Sequence, residues 1–492
     1  MTFDALLQTE PGWLRERAIG DRRVAGLTHD SRSAGPDSLF FCLPGSRYDG
    51  HDFAAEAYRR GCRCFVAERP LKVGDDAAVL FSDNAEKSMA RIAARYYGDP
   101  ASALTLVGIT GTKGKTTTAR MLVGLLERSG VSAAYIGSSG VAYLGRCYET
   151  ENTTPDSLTL MRHLAMIRDA GVGTAVMEVS SQAMVRHRVF GLRFSLGVFT
   201  NLSRDHIGEG EHANMREYAA AKLSFFTECR PQTVILNGEE PFSGTILENL
   251  SSQRALLYGN CRSTALYAEG YTPLRARNRF STAFFLSDCR RRWNAAIGFA
   301  GKHYVDNFLA ALLSAGALTG RSIEELLPYA DTLCAPGRCE VIEGNQTACF
   351  VIDYAHNGAS LSAALRGLRP YAEGKLYCLF GAVGGRSECR RPDMARAACR
   401  YADFSVITSD NPAGEDPGVI AGEILSHFPD KRRAIVIPDR GEAIRYLLRV
   451  ASPRDVVLLA GKGDEQHQVT EEGRTPFSEA EILSRFIGKN RT

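Results

Sequence analysis

The sequence predicts an α/β protein of three domains, with boundaries at residues 1–98, 99–330 and 331–492. Three observations carry this. The chain of 492 residues is two to four times the length of a typical domain of roughly 100–200 residues. Short β-rich apolar runs alternate with helical stretches, the pattern of a mostly parallel sheet. That alternation comes as two long series behind a short one.

In the short series, apolar runs at 39–43, 64–68 and 78–82 are interleaved with helical patterns at 51–61 and 84–98. Asp99-Pro100 then reads as a linker, since the residue before a proline is biased away from helix. The second series opens with a strand at 104–110, a glycine-rich turn, and a helix whose Met121, Leu122, Leu125 and Leu126 form one stripe ending at Gly130. Strands follow at 174–180, 195–200 and 233–237, with a helix over 214–229 before the last. The third series, at 349–355, 375–382, 404–410, 434–439 and 455–463, reads as Rossmann-like. Its strand ends carry DYAHN, GRSE, SDNP and GKGDE, and ligands of open α/β sheets sit beyond such ends.

Composition removes several classes of function. The chain is 44% hydrophobic and 23% charged, which excludes a disordered or fibrous protein. Lys plus Arg number 59 against 56 Asp plus Glu, a formal charge of +3. That is too small for a broad nucleic-acid or membrane footprint. No run approaches ~18–20 apolar residues, and the N-terminus lacks a secretory pattern, so a cytoplasmic location is expected. Thirteen cysteines without a repeated CxxC read as reduced thiols.

Chemistry concentrates in Gly111-Thr112-Lys113-Gly114-Lys115-Thr116-Thr117, between strand and helix. Backbone N–H groups of such a loop wrap phosphate oxygens, Lys115 adds a point charge, and Thr116 offers a hydroxyl to Mg²⁺. The first glycine of the GxxxxGK[ST] pattern is displaced, with Ile109 in its place and Gly108 before it. A glycine turn without nucleotide is the alternative. Glu178 and His206 follow strands and suit a metal site on the same sheet face. By themselves they read equally as a capping carboxylate and a surface histidine. Lys222, in an alanine-rich helix, reads alone as a solvated lysine.

GTKGKTTT, MEVSSQAMVRHR, TNLSRDH, AAAK, PGRCE, DYAH, SDNPAGEDP and AGKGDE, in this order, resemble the Mur ligases of peptidoglycan synthesis. The likeness is to the MurE type, which adds the third amino acid to UDP-N-acetylmuramoyl-L-alanyl-D-glutamate. It covers almost the whole chain. It implies a small UDP-binding N-terminal domain, a central P-loop ATPase domain and a C-terminal amino-acid-binding domain. It implies ATP and Mg²⁺ as cofactors, an acyl-phosphate intermediate, and a monomer free of nucleic acid and membrane.

By the same resemblance Lys115 holds ATP phosphates, and Thr116, Glu178 and His206 hold magnesium. Lys222 becomes a carbamylated lysine, turned from cation into metal-binding anion. Asn307, Arg338 and Asp353 fall on the adenosine side, with His356 in the same motif as Asp353. Ser31, Asn152, Thr153, Thr154, Ser180, Arg186 and Arg188 match the uridine-sugar substrate. The chain departs from the pattern at His303 and Tyr304, at DHIGEGEH, at Gly385-Arg386-Ser387-Glu388 and at Asp464.

The amino acid added is expected to be L-lysine, because Asp410-Asn411-Pro412-Ala413 lacks the arginine with which diaminopimelate-adding relatives hold a second carboxylate. Asp410, Asp464 and Glu465, beside Gly461, are expected to surround a side-chain ammonium, with Arg386 on the α-carboxylate. L-Ornithine and meso-diaminopimelate remain alternatives for the same reaction, and a folylpolyglutamate synthetase-like ligase is the rival enzyme. A P-loop NTPase driving motion and a binding module that has lost catalysis are the further rivals. THDSR and NTTPDS argue against the synthetase, the acidic strand-end sites of the last domain against the NTPase, and the intact Lys115, Thr116, Glu178, His206 and Lys222 against the binding module.

Overall fold

The computed structural model describes residues 1–8, 22–45, 48–208, 211–276, 279–343, 348–385 and 390–489. Three large sheets follow one another along the chain, and a two-stranded antiparallel ribbon, His467–Thr470 with Gly473–Pro476, comes after them. In the first, Gly26–Thr28, Ser38–Phe41, Cys64–Ala67 and Ala78–Phe81 lie side by side in chain order, all parallel. Strand side chains alternate faces. Leu39, Phe41, Val66 and Leu80 therefore meet Met89, Ile92 and Ala93 of helix Ala85–Tyr96, while Phe40 and Phe65 meet Ala54 and Ala57 on the other side.

The central sheet has eleven strands. Its middle is parallel, with Thr105–Thr110 between Thr174–Glu178 and Leu196–Phe199. Met121, Leu122, Leu125 and Leu126 are buried as the stripe predicts, and they share a core with Phe308, Leu309 and Leu312 of helix Lys302–Thr319. The parallel expectation fails at the margins. Leu266–Ala276, Arg279–Ser287 and Arg292–Ile297 form an antiparallel meander, and Gly140–Tyr143 with Arg146–Tyr148 closes the other edge antiparallel. Leu266–Ala276 is buried only over its first residues. One-sided exposure of this kind is tolerated in antiparallel pairs and hides the strand from a search for apolar runs. The turn at 288–291 is fixed by Asp288, whose carboxylate accepts the Arg290 and Arg291 N–H groups at 3.0 and 2.8 Å.

The third sheet runs Glu340–Glu343, Cys349–Asp353, Val456–Ala460, Leu376–Phe380, Phe404–Ile407, Ala434–Val436, parallel except for its first strand. Its carboxyl ends point toward the phosphate loop of the central sheet. The twelve described cysteines are all free. No helix among the described residues is long and apolar enough to cross a membrane.

The third unit is locked by a buried arginine. Arg440 is 1% exposed. It donates to Glu479 at 2.8 Å, to the Ser409 carbonyl at 3.2 Å and to the Ala460 carbonyl at 2.7 Å, tying two helices to two strand ends. Arg440→Ala strands a buried carboxylate, so a loss of about 3–5 kcal/mol is expected in urea unfolding. A loss below about 1 kcal/mol would show that Glu479 is solvated without its partner.

Candidate functional site

The phosphate loop owes its shape to two glycines with positive φ, Gly111 at 148° and Gly114 at 86°. A Cβ on Gly111 would overlap the Thr200 hydroxyl, and one on Gly114 the Asn307 side-chain oxygen. The neighbouring strand end clamps the loop. Thr112 N–H donates to the Asn201 carbonyl at 2.8 Å and Lys113 N–H to Asn201 Oδ1 at 2.9 Å, while the Lys113 carbonyl accepts the Thr200 hydroxyl at 2.6 Å. Helix Lys115–Arg128 starts at Gly114 with no side-chain cap. Its first N–H groups thus face a cavity of about 540 Å³, the arrangement that binds anions.

That cavity collects most of the expected phosphate, metal and adenosine residues. Thr112 to Thr117, Glu178, His206, Asn307, Arg338, Asp353 and His356 all line it. Lys115 curls back onto the Gly111 and Thr112 carbonyls at 3.0 and 3.1 Å, and burial lowers its pKa. Asn307 reaches the loop helix through Thr118 at 3.4 Å. Asp353 accepts the Tyr304 hydroxyl at 2.5 Å and the Cys339 N–H at 2.9 Å. Arg338 lies over the Tyr354 ring, 4.3 Å from its centroid. Burial pushes His303, beside this group, down to about 4. His356 Nδ1 faces the Tyr354 carbonyl at 2.9 Å and Nε2 faces Lys113 Nζ at 3.3 Å, with burial holding the ring well below its usual pKa.

Glu178 ends its strand almost fully buried, and its Oε1 accepts the Tyr135 hydroxyl at 2.6 Å and the Ser138 N–H at 3.1 Å. His206 has φ 55° and sits 3.2 Å from Glu211. Lys222 is 1% exposed and donates to the Gly111 carbonyl at 2.8 Å. It is no solvated lysine. Burial first, then the charge of Lys115, hold its pKa well below the usual value, the direction that favours the neutral amine able to take up CO₂. No cluster of three His, Cys, Asp or Glu capable of holding a metal occurs among the described residues. The residues nevertheless suit Mg²⁺, which binds through few protein ligands and completes its shell with phosphate and water oxygens. Of the four residues expected to hold magnesium, Thr116, Glu178 and His206 line the loop cavity, and Lys222 lies behind it against Gly111.

On the flank nearest the first sheet, Thr154 is central. Its hydroxyl donates to the Glu178 carbonyl at 2.7 Å and accepts the Ser180 N–H at 3.0 Å, and its carbonyl accepts Arg188 at 2.8 Å. Thr153 meets Ser138 at 3.1 Å, the Asn152 carbonyl accepts the Thr150 hydroxyl, and Ser180 caps helix Ser181–Val185. Arg186 joins two units by binding the Pro44 carbonyl at 2.9 Å and Glu86 at 3.0 Å. Ser31 stays within the first unit, bound to Glu56 at 3.0 Å.

The amino-acid end differs from the expected ring of three acids. Glu465 is paired with Lys462 at 3.0 Å, and Asn411 bridges both residues at 2.9 Å. Asp464 accepts the Ser139 hydroxyl at 2.5 Å. Asp410 has a buried oxygen, Oδ2, without a hydrogen-bond partner, and burial raises its pKa to about 6. Gly461 packs against that oxygen where a Cβ would not fit. Pro412 leads into Ala413, whose backbone is left-handed at φ 58° and whose N–H is held by the Val469 carbonyl at 3.2 Å. Arg386 lies outside the described residues. Tyr135, Asn201, Asp205 and Lys462 were not singled out from the sequence. Of these, Lys462 had a legible signal, three residues before Glu465 in AGKGDE.

Three α/β units, the second presenting an uncapped phosphate loop to the strand ends of the third, define a nucleotide-dependent ligase. Residues 23–105 match the Mur ligase family catalytic domain, 109–315 the Mur ligase middle domain and 337–463 the Mur ligase glutamate ligase domain. The UDP-N-acetylmuramoyl-L-alanyl-D-glutamate–2,6-diaminopimelate ligase of Geobacillus kaustophilus is 38% identical, over 95% of this chain and 96% of that protein. The enzyme of the same name from Aquifex aeolicus is 33% identical over 95% and 94%. A solved structure of a ligase of that name superposes with TM-score 0.68 at 26% identity, covering all of both chains. The chain belongs to the Mur ligase family, ATP-dependent ligases that use Mg²⁺. Folylpolyglutamate synthase of Mycobacterium tuberculosis, at 17% identity and TM-score 0.62 over 76% of this chain, shares the fold.

The buried Lys222 yields the first test of the site. Lys222→Ala is expected to lose ligation at least about 100-fold and to recover part of it with added formate or acetate, which replace a metal-binding anion. Near-parent turnover of the alanine variant in carbonate-free buffer would remove the carbamate.

Proposed function

We propose that this chain joins a diamino acid to the D-glutamate of UDP-N-acetylmuramoyl-L-alanyl-D-glutamate, with L-lysine as the preferred acceptor. The observation that carries the reading is the single cavity in which the phosphate loop and Glu178 meet Arg338, Asp353 and His356 from the third unit. On this reading residues 1–98 bind the uridine part of the substrate, 99–330 bind ATP and 331–492 bind the acceptor amino acid. The enzyme works as a cytoplasmic monomer away from nucleic acid and membranes, in keeping with a formal charge of only +3.

Amide formation at neutral pH fails because an oxide is a poor leaving group, and bound ATP with Mg²⁺ supplies phosphoryl activation of the carboxylate. The protein's part is positioning and charge. Lys115 exchanges its two carbonyl partners for phosphate oxygens, Thr116 and Glu178 present oxygen ligands, and the carbamate of Lys222 adds an anion behind Gly111. Arg188 and Thr154 orient the substrate on the face that also carries Glu178. His356, neutral and facing Lys113, keeps that lysine directed into the cavity.

Preference for L-lysine rests on Ala413 and Asp410. Alanine makes no bidentate contact with a second carboxylate, and the spare oxygen of Asp410 favours an ammonium. The names of the relatives favour the second reading, meso-diaminopimelate. An amino-acid panel separates them: with UDP substrate, ATP and Mg²⁺, kcat/KM is expected to be highest for L-lysine, at least about tenfold above meso-diaminopimelate, whereas L-ornithine, one methylene shorter, falls within the ~1–3 kcal/mol that a pocket resolves. Preference for meso-diaminopimelate would overturn the choice of acceptor and leave the ligase reading standing.

The titration of Asp410 gives a second check. Its carboxyl is raised to about 6, so it is charged at pH 7.5 and neutral at pH 5. The KM for L-lysine should therefore rise as pH falls through about 6, and Asp410→Asn should flatten that rise. An unchanged profile in the variant would place the ammonium elsewhere.

A further inference from the structure

Asp205 is a buried carboxylate whose partners come from two different units. Its side chain is 3% exposed, and every contact is a donor. Oδ2 accepts Lys113 Nζ at 2.9 Å and Asn357 Nδ2 at 3.0 Å, and Oδ1 accepts Arg390 Nη2 at 2.7 Å and the His206 N–H at 3.0 Å. Lys113 and His206 belong to the central unit. Asn357 caps helix Gly358–Leu368 and Arg390 opens helix Arg390–Tyr401, both in the third unit. The contact is thus a four-donor joint across the cleft that holds the nucleotide cavity.

We infer that this joint is a latch, in which Asp205 and Arg390 act as positioning residues that couple docking of the third unit to the shape of the phosphate loop. The inference rests on the ligase reading and deepens it. With the third unit docked, each carboxylate oxygen has one cation and one neutral donor. With it withdrawn, Asp205 keeps Lys113 and loses both the guanidinium and the amide. Withdrawal exchanges those two donors for water, and a partly seated unit would leave the carboxylate with neither, so the joint favours two discrete arrangements over a graded one. Lys113 transmits the difference. Its N–H and carbonyl are clamped by Asn201 and Thr200, so its side chain cannot follow Asp205 without moving the loop. His356 closes the same gap from the third unit, 3.3 Å from Lys113 Nζ. The benefit to the reaction is exclusion of water. An activated carboxylate that waits for an amine is lost to hydrolysis unless the unit delivering the amine is seated.

The test uses the full chain and the variants Arg390→Ala, Arg390→Lys and Asp205→Asn, comparing phosphate released with amide formed, KM for the acceptor, Kd for ATP and Tm. For Arg390→Ala we expect ATP affinity within about threefold of the parent, an acceptor KM raised about tenfold or more, and clearly more than one phosphate per amide. Arg390→Lys should restore part of the coupling, because it returns the charge without the fork. Asp205→Asn should uncouple in the same direction. An Arg390→Ala enzyme with the parent's acceptor KM and one phosphate per amide would overturn the latch. So would loss of ATP affinity and Tm together with unchanged stoichiometry, the mark of a merely structural contact. A parent enzyme that forms no amide with any acceptor would instead overturn the ligase reading beneath it.

Discussion

Three lysine side chains converge on one short loop, and the central unit is organised around keeping them there. Lys113, Lys115 and Lys222 are each bonded to the loop or to its immediate support, and all have pKa values lowered by burial. Like charges in a site of reduced dielectric repel by several kcal/mol. Each lysine has a different relief: Lys113 has a carboxylate, Lys115 two carbonyl oxygens, and Lys222 is driven toward its neutral form. A triphosphate would answer the remaining positive charge. The site is therefore electrostatically incomplete without its anion, and Gly111 and Gly114 are the price of bringing the backbone close enough to share the load.

Much of this was readable because it is local. The GTKGKTT loop, its strand and its helix are contiguous, and their spacing alone places the phosphate groups. Many of the parallel strands were legible because they are buried on both faces and so appear as unbroken apolar runs, whereas Gly26–Thr28, Ala133–Gly137 and Arg254–Gly259, also paired in parallel, were missed. The meander over 266–297 escaped because its outer strands, Leu266–Ala276 and Arg292–Ile297, are partly exposed, and the mostly buried Arg279–Ser287 between them mixes polar with apolar residues. Lys222 was misread by composition, since an alanine-rich helix surface looks solvated until a second layer covers it.

Long-range pairing was the other blind spot. Asp205 stands in a motif that drew attention to His206, yet its own role depends on Asn357 and Arg390, 152 and 185 residues further on. At the acceptor end three acidic residues looked equivalent in the sequence. Folding divides them: Glu465 pairs with Lys462 and Asp464 accepts the Ser139 hydroxyl, whereas Asp410 is buried with one oxygen unbonded. Counting charges along a chain overstates the field a ligand meets; the pairing decides it.

Ala413 holds a left-handed backbone without being glycine, its N–H anchored on the Val469 carbonyl. Such a conformation costs an L-residue of order 1 kcal/mol or more, and the cost arises at the Cβ. Alanine already bears it. Any longer unbranched side chain would meet the same backbone demand, so this position is open to exchange with little change in folding free energy. A single side chain at this turn can therefore change while the surrounding backbone keeps its course.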